Sequence, residues 1–391
     1  MHILFITSTL DPKSGWGTYS RNTVKGFLER GHRVSILTHQ QSENPMTVEA
    51  AVLPAPLHVL TSYLSLLRSS WVIAKAVRRH HPDVIHVLIE PYVIAMPLAR
   101  FLVALPPWVM NLHGTYSVFP FVRRHSRLLM DLACRQAAAF LACSRYTWNK
   151  TLDAATQYAS KEAVRSLKER THLFRFGINA PIQAESETSE KNSRTILFVG
   201  EVKPRKGVKE LVLACVEYAK ESSVPLHLAI VGNTTEQSPY MKELRTLVET
   251  QGLQNIVTFY GQTSEEKLSE LFRKSDLFMM LSKTDGIYFE GFGLVFLEAN
   301  AHGIPVIGSR DSGCAEAIDE GKSGYVVDAF DQKMIVERMH WVLDEKRIDR
   351  AECRRWAEFH SISKQVDQIE MCYRSVLPTS SAKVSQKFSP R

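Results

Sequence analysis

The stretch Thr195-Ile196-Leu197-Phe198-Val199-Gly200 decides the reading of the fold. A short apolar run of β-branched and aromatic residues ending on glycine reads as a strand buried on both faces. It is followed by a basic loop, Glu201 to Gly207, and then by apolar residues at helical spacing from near Val208. The same unit recurs outward in both directions. Runs at 3–7, 33–38, 84–89, 109–113 and 140–143 precede it; runs at 227–231, 256–260, 277–281, 306–309 and 325–327 follow it. Amphipathic stretches such as 19–30 and 264–274 lie between them. Strands alternating with helices predict an α/β fold with parallel, doubly wound sheets and right-handed crossovers. The pattern restarts at Thr195 after a polar stretch without core-forming residues. Two Rossmann-like domains are therefore expected, 1–182 and 195–360, joined by a linker at 183–194. A last amphipathic helix is expected within 361–377, and a disordered Ser/Lys-rich tail over 378–391.

The chain length of 391 residues agrees with two or three domains of roughly 100–200 residues each. Its 45% hydrophobic and 23% charged residues exclude a disordered or collagen-like chain. The net charge of +7 is unevenly spread. Residues 1–180 carry 21 Lys and Arg against 10 Asp and Glu, whereas the remainder carries 27 against 31. An anionic partner is thus expected to meet the first half. The six cysteines, at 134, 143, 215, 314, 353 and 372, have neither metal-ligand nor redox spacing and read as buried thiols. The apolar run at 3–6 is too short for a signal-peptide core. The apolar stretch 92–110 carries Arg100 near its middle and is broken by Pro97, Pro106 and Pro107. An arginine at the centre of a span costs about 2.5–3.5 kcal/mol, so this stretch reads as a buried helix followed by a strand. A cytoplasmic location is expected.

Ligands of open parallel sheets bind beyond the C-terminal ends of the strands, and four candidate stretches follow strands. Gly15-Trp16-Gly17 precedes a helix and reads either as a turn or as a place where backbone amides approach a phosphate. His113-Gly114-Thr115 closes the strand 109–113, with His113 facing an interdomain cleft or serving as a satisfied strand-end residue. Arg205 and Lys206 stand at a helix start, where cations oppose the helix dipole; an anion between them and the amides would remove that conflict. In Glu290-Gly291-Phe292-Gly293-Leu294-Val295-Phe296-Leu297-Glu298, the two glycines open a helix and Glu298 lies about two turns on. Its apolar neighbours make an unpaired carboxylate there costly.

Together these residues resemble the retaining glycosyltransferases of family 4. The resemblance spans nearly the whole chain and is densest over 195–327. Two glutamates separated by seven residues, Glu290 and Glu298, are its most telling feature. Ala299, Gly303-Ile304-Pro305-Val306 and the segment 321–326 match the family's donor domain in order and spacing. Phe198-Val199-Gly200 with Arg205-Lys206-Gly207 resembles its diphosphate-binding segment. Gly15, Gly17 and His113-Gly114 match its N-domain glycine loop and cleft histidine. The chain departs at Glu201, where many members place an arginine; Arg205 is positioned to compensate.

The resemblance implies a GT-B fold, two Rossmann-like domains facing a central cleft. It also implies transfer of a hexose from a nucleotide-diphosphate sugar to a glycan or lipid-linked acceptor, with retention of configuration. Glu298 would hold the ribose hydroxyls, and Glu290 those of the transferred sugar. Amides of Phe292 to Leu294, including Gly293, would add contacts to sugar or phosphate, and His113 would touch the reacting side. Arg205, Lys206 and the loop of Gly15 and Gly17 would stabilise charge on the leaving diphosphate. No Asp-x-Asp pair occurs, so no metal or cofactor is expected. Family architecture gives the basic first domain to the acceptor. There Arg123, Arg124 and Arg127 alternate with large apolar residues, as on a solvated helix face or at an anionic membrane surface. Peripheral attachment to the cytoplasmic membrane face follows from the second reading. A nucleic-acid-binding protein explains the charge but not the 290–298 stretch, and no nucleic-acid partner is expected. A non-catalytic nucleotide- or glycan-binding module is the other alternative.

Overall fold

The computed structural model describes residues 1–11, 14–39, 51–178, 193–233 and 238–377. The chain divides into two compact units, Met1–Gly177 with Ile362–Arg391, and Ile178–Ser361. Each is built on one parallel sheet. The first holds β1 (His2–Ile6), β2 (Arg33–Thr38), β3 (Ala51–Val52), β4 (Val84–Val87), β5 (Trp108–Leu112), β6 (Ala139–Ala142) and β7 (Thr171–Leu173), in the order β3-β2-β1-β4-β5-β6-β7. The second holds β8 (Arg194–Val199), β9 (Leu226–Val231), β10 (Val257–Gly261), β11 (Leu277–Met280), β12 (Val306–Ser309) and β13 (Gly324–Val327), in the order β10-β9-β8-β11-β12-β13. Strand order reverses beside β1 in the first sheet and beside β8 in the second. Crevices at such switch points are where doubly wound sheets hold ligands.

The central strands are apolar on both faces, as expected of strands covered by helices. Every residue of β1, β4, β5 and β6 is buried. All eleven expected strands are present, with ends shifted by up to two residues. The two further strands, β3 and β7, lie at the edges of the first sheet. They span two and three residues, too few for a periodicity to register. β8 starts at Arg194, which corrects the linker boundary by one residue. Most of that linker, and the 378–391 tail, lie outside the described residues.

The stretch 92–110 forms a 3-10 turn (Glu90–Ala95), a helix (Met96–Leu102) and β5. Among the described residues no helix is long and apolar enough to cross a membrane. The six cysteines are buried thiols outside any disulfide.

The last helix, Ile362–Val376, belongs to the first unit. Gln365 Nε2 donates to Thr23 Oγ1 at 2.8 Å, and Arg30 pairs with Asp367 and Glu370 at 2.8 and 2.9 Å. The Tyr373 hydroxyl lies 2.6 Å from His86 Nδ1 inside the sheet.

Candidate functional site

In the second unit the switch point between β8 and β11 is crowded with charge. The segment after β8 makes a 3-10 turn, Pro204–Lys206, and enters the helix Val208–Glu221 through Gly207. Gly207 has a φ of 70°, and a Cβ there would lie 2.0 Å from the Leu281 carbonyl oxygen. Only glycine allows this loop to pack against the end of β11. The Lys283 amide donates to the Arg205 carbonyl at 2.7 Å and stitches the two segments together.

This geometry delivers Arg205 and Lys206 to Glu290. Lys206 Nζ donates to Glu290 Oε2, and Arg205 Nη1 lies 3.5 Å from the same oxygen. Burial works against the charge on Glu290. The Lys206 ammonium and Arg205 guanidinium outweigh it and hold the carboxyl below the usual carboxylate range. The expected anion between these cations is thus supplied by the chain itself. Two positive charges against one negative leave a net cation at the sheet end, beside a helix N-terminus that has no side-chain cap. Glu201 pairs with Lys203 at 2.7 Å, so its charge is spent within the loop. Lys283, which pairs with Glu210 at 2.5 Å, is a neighbouring charge that no motif had marked.

The helix Leu294–Ala301 begins where expected. Gly293 caps it with left-handed backbone and no side-chain hydrogen bond. Of its first-turn amides, that of Phe296 donates to the Gly293 carbonyl at 3.1 Å, which leaves those of Leu294 and Val295 without an intrahelical partner. The Phe292 ring is buried near His360, so its side chain is part of the core. Gly291 leaves its carbonyl against Gly313, where a Cβ would lie 1.9 Å away. Glu298 is half-buried, and its carboxylate makes no hydrogen bond or ion pair with the described residues. Burial pushes its pKa up to about 7. A desolvated carboxylate without a partner calls for one from a ligand.

In the first unit the helix Gly15–Glu29 begins four residues before the expected start at Tyr19. Ser14 caps it by accepting the Gly17 amide at 3.1 Å, so that amide is occupied. A Cβ on Gly17 would lie 1.7 Å from the Asp11 carbonyl oxygen, whereas Gly15 is open. The glycine pair therefore forms the first turn of a helix rather than a loop before it.

His113 follows β5 and stands against the Tyr19 and Phe176 rings, with centroids 4.5 and 5.1 Å away. Tyr19 is fixed by Asn111, which donates to its hydroxyl at 2.9 Å and is itself held by His86 at 2.8 Å. Burial lowers the His113 pKa to about 3, so the imidazole is neutral near pH 7. Its Nε2 is buried and has no hydrogen-bond partner among the described residues. The sequence reading missed Glu90, which accepts the His113 amide and whose buried Oε2 has no hydrogen-bond partner among the described residues. Burial raises the Glu90 pKa to about 7. The signal was available: a carboxylate directly after an apolar strand, as costly there as at Glu298. Phe174 and Phe176, which complete the aromatic wall, carry no such signal.

The arginine cluster is only partly a surface. Arg123 and Arg124 are exposed, with Arg123 over the Phe119 ring at 4.9 Å. Arg127 instead donates to the Phe121 carbonyl at 2.9 Å and covers the Tyr158 ring at 4.5 Å. It closes the end of the helix Thr115–Val122, where carbonyls lack partners, and so leaves the proposed patch.

Comparison with known proteins agrees with this geometry. Residues 179–359 match the family of glycosyl transferases group 1, and residues 14–150 match the glycosyl transferase 4-like domain. The chain belongs to this family of glycosyltransferases. It is 25% identical over 377 residues to N-acetyl-alpha-D-glucosaminyl L-malate synthase of Bacillus anthracis, covering 93% of this chain and 94% of that one. It is 33% identical over 247 residues to a GDP-mannose-dependent phosphatidylinositol monomannoside mannosyltransferase of Mycolicibacterium smegmatis, covering 61% of each chain. Among solved structures, Anabaena HepE in complex with UDP and glucose superposes with a TM-score of 0.72 at 18% identity, over 96% of this chain and all of that one. Sucrose-phosphate synthase of Thermosynechococcus elongatus gives 0.75 at 18% identity, over 96% and 99%. The fold is GT-B.

Proposed function

We propose that the protein transfers a hexose from a nucleotide-diphosphate sugar to a glycan or lipid-linked acceptor, with retention of configuration and without a divalent metal, in cell-envelope glycan or glycolipid synthesis. The observation that carries this reading is the convergence of Arg205, Lys206 and Glu290 at the β8/β11 switch point, with Glu298 unpaired on the helix that follows. The net positive charge suits a diphosphate whose negative charge grows as the glycosidic bond breaks. Glu298 takes the ribose hydroxyls, and Glu290 takes hydroxyls of the transferred sugar. Amides at Gly293 and Leu294 add donors to sugar or phosphate. In the first unit, the neutral His113 offers a hydrogen bond to a sugar, and the helix opening at Gly15 offers backbone amides to a phosphate. The acceptor attacks from the face that the diphosphate leaves.

The names of the relatives support a nucleotide-sugar donor and, in the mannosyltransferase, a lipid acceptor. An acceptor held at an anionic membrane suits the excess of basic residues in 1–180, and the protein would then sit peripherally at the cytoplasmic face.

Thermal melting with UDP, GDP and ADP, followed by donor turnover with and without EDTA, tests the proposal. One nucleoside diphosphate at a hundred times its Kd should stabilise the protein by about 2.7 kcal/mol, and EDTA should leave turnover unchanged. No stabilisation by any of them, or loss of turnover in EDTA restored by manganese, would overturn it.

A further inference from the structure

The helix Tyr63–His80 carries an outer face that the transfer chemistry does not use. Tyr63, Leu64, Leu67 and Trp71 are 71, 81, 57 and 56% exposed. Arg68 and Lys75 are exposed beside them, with Lys75 Nζ 5.2 Å from the centre of the Trp71 ring. At 100° per residue these six side chains fall within an arc of about 140°. Leu66, Ile73 and Val77 point the other way, into the unit. Large apolar residues on solvent at this density mark an interaction surface.

The face extends onto neighbouring helices. Arg78 donates to the Leu102 carbonyl and ties in the helix Met96–Leu102, where Phe101 is 81% exposed. His125 bonds the carbonyl of Leu60 in the preceding helix, Pro56–Thr61, and Leu128, on the same helix as His125, is 69% exposed. Charge identifies the occupant. From residue 50 to residue 130 the chain has eight Lys and Arg and only two acidic residues, Asp83 and Glu90, and Glu90 is buried.

We infer that this face, centred on Leu64, Leu67 and Trp71, docks the protein onto an anionic phospholipid surface. The inference rests on the proposed membrane-held acceptor and moves its contact from the arginines at 123–127 to this helix. Leucine and phenylalanine side chains enter the acyl boundary, Tyr and Trp rings sit at headgroup level, and Arg68 and Lys75 meet lipid phosphates. A second copy of the chain fits less well, because an isologous contact would set the same cations against each other. A polynucleotide would leave the leucines and Phe101 without partners.

The test is sedimentation of the full chain with vesicles of phosphatidylcholine alone and with an equal share of phosphatidylglycerol, at low and high salt. The parent should favour the acidic vesicles at least tenfold and be partly released by salt. Leu64→Ser with Leu67→Ser should lose at least tenfold in partitioning. Arg68→Ser with Lys75→Ser should lose about fivefold per residue on acidic vesicles only. Melting temperature and nucleotide-induced stabilisation should be unchanged in all variants, since these side chains are exposed and none of them is among the residues assigned to the nucleotide. Indifference of the parent to acidic vesicles overturns both the membrane reading and this face. Binding that survives the leucine changes but is lost in Arg123→Ser with Arg124→Ser overturns the face alone. A parent dimer that the leucine changes convert to monomer, with vesicle binding unaffected, assigns the face to self-association instead.

Discussion

Glu298→Gln is expected to stabilise the protein and weaken its grip on nucleotide at the same time. The carboxyl titrates at about 7 in the folded chain against 4.5 ordinarily, and burial is the cause. Between these two values the unfolded chain has released the proton while the folded chain keeps it. Stability therefore falls as pH rises from 4.5 to 7, and the full penalty is present above 7. At 1.36 kcal/mol per pKa unit, reduced for partial exposure, the penalty is about 1–3 kcal/mol. Glutamine fills the same space without charge. Its melting temperature should exceed that of the parent at pH 8, and the difference should shrink towards pH 5. A carboxylate bound to ribose hydroxyls makes hydrogen bonds of about 1.5–3 kcal/mol, so nucleotide Kd should rise roughly ten- to a hundredfold. Calorimetric titration at pH 8 together with melting curves checks both. A variant that melts lower at pH 8 and binds nucleotide as well as the parent would sink the assignment.

Lys206→Ala should lose both stability and donor affinity, and a second substitution should separate the two losses. Lys206 neutralises a Glu290 carboxylate that is only 18% exposed, and Arg205 remains 3.5 Å from the same oxygen. Removing one partner of such a buried pair costs about 3–5 kcal/mol, and the remaining arginine places this case near the lower end. Loss of a phosphate contact of about 1.5 kcal/mol raises donor Kd roughly tenfold. Lys206→Ala with Glu290→Gln removes the stranded charge, so much of the stability should return while turnover stays low. Glu290→Gln alone leaves two cations without their carboxylate. It should bind nucleoside diphosphate at least as tightly as the parent, yet turn over roughly ten- to a hundredfold more slowly. Parallel loss of diphosphate binding and turnover in Glu290→Gln would show that Glu290 does not act on the transferred sugar.

The strands and the 294–301 helix were legible because their causes are local. Period, β-branching and a terminating glycine act within a few residues, so every central strand was placed within two residues of its position. Helix starts that depend on tertiary contact were less legible. Gly15 and Gly17 read as a loop, yet the helix begins there because Ser14 caps it and Gly17 alone fits beside Asp11. β3 and β7 were invisible for a different reason: each is an edge strand too short to carry a pattern.

By itself, the sequence determined the two doubly wound sheets, the order of their elements and the residue types that close each strand. These follow from hydrophobic periodicity and backbone preference, which short windows carry. Only the tertiary structure decided which of those residues meet. Lys206 and Glu290 are 84 positions apart and pair because strand order sets β8 beside β11. Glu298 stays unpaired because no cation among the described residues reaches it. Arg127 turned inward to the carbonyls of its preceding helix, while Leu64, Leu67 and Trp71 stayed on the outside. Charge pairing and exposure depend on which elements become neighbours, and that adjacency is a property of the packed chain.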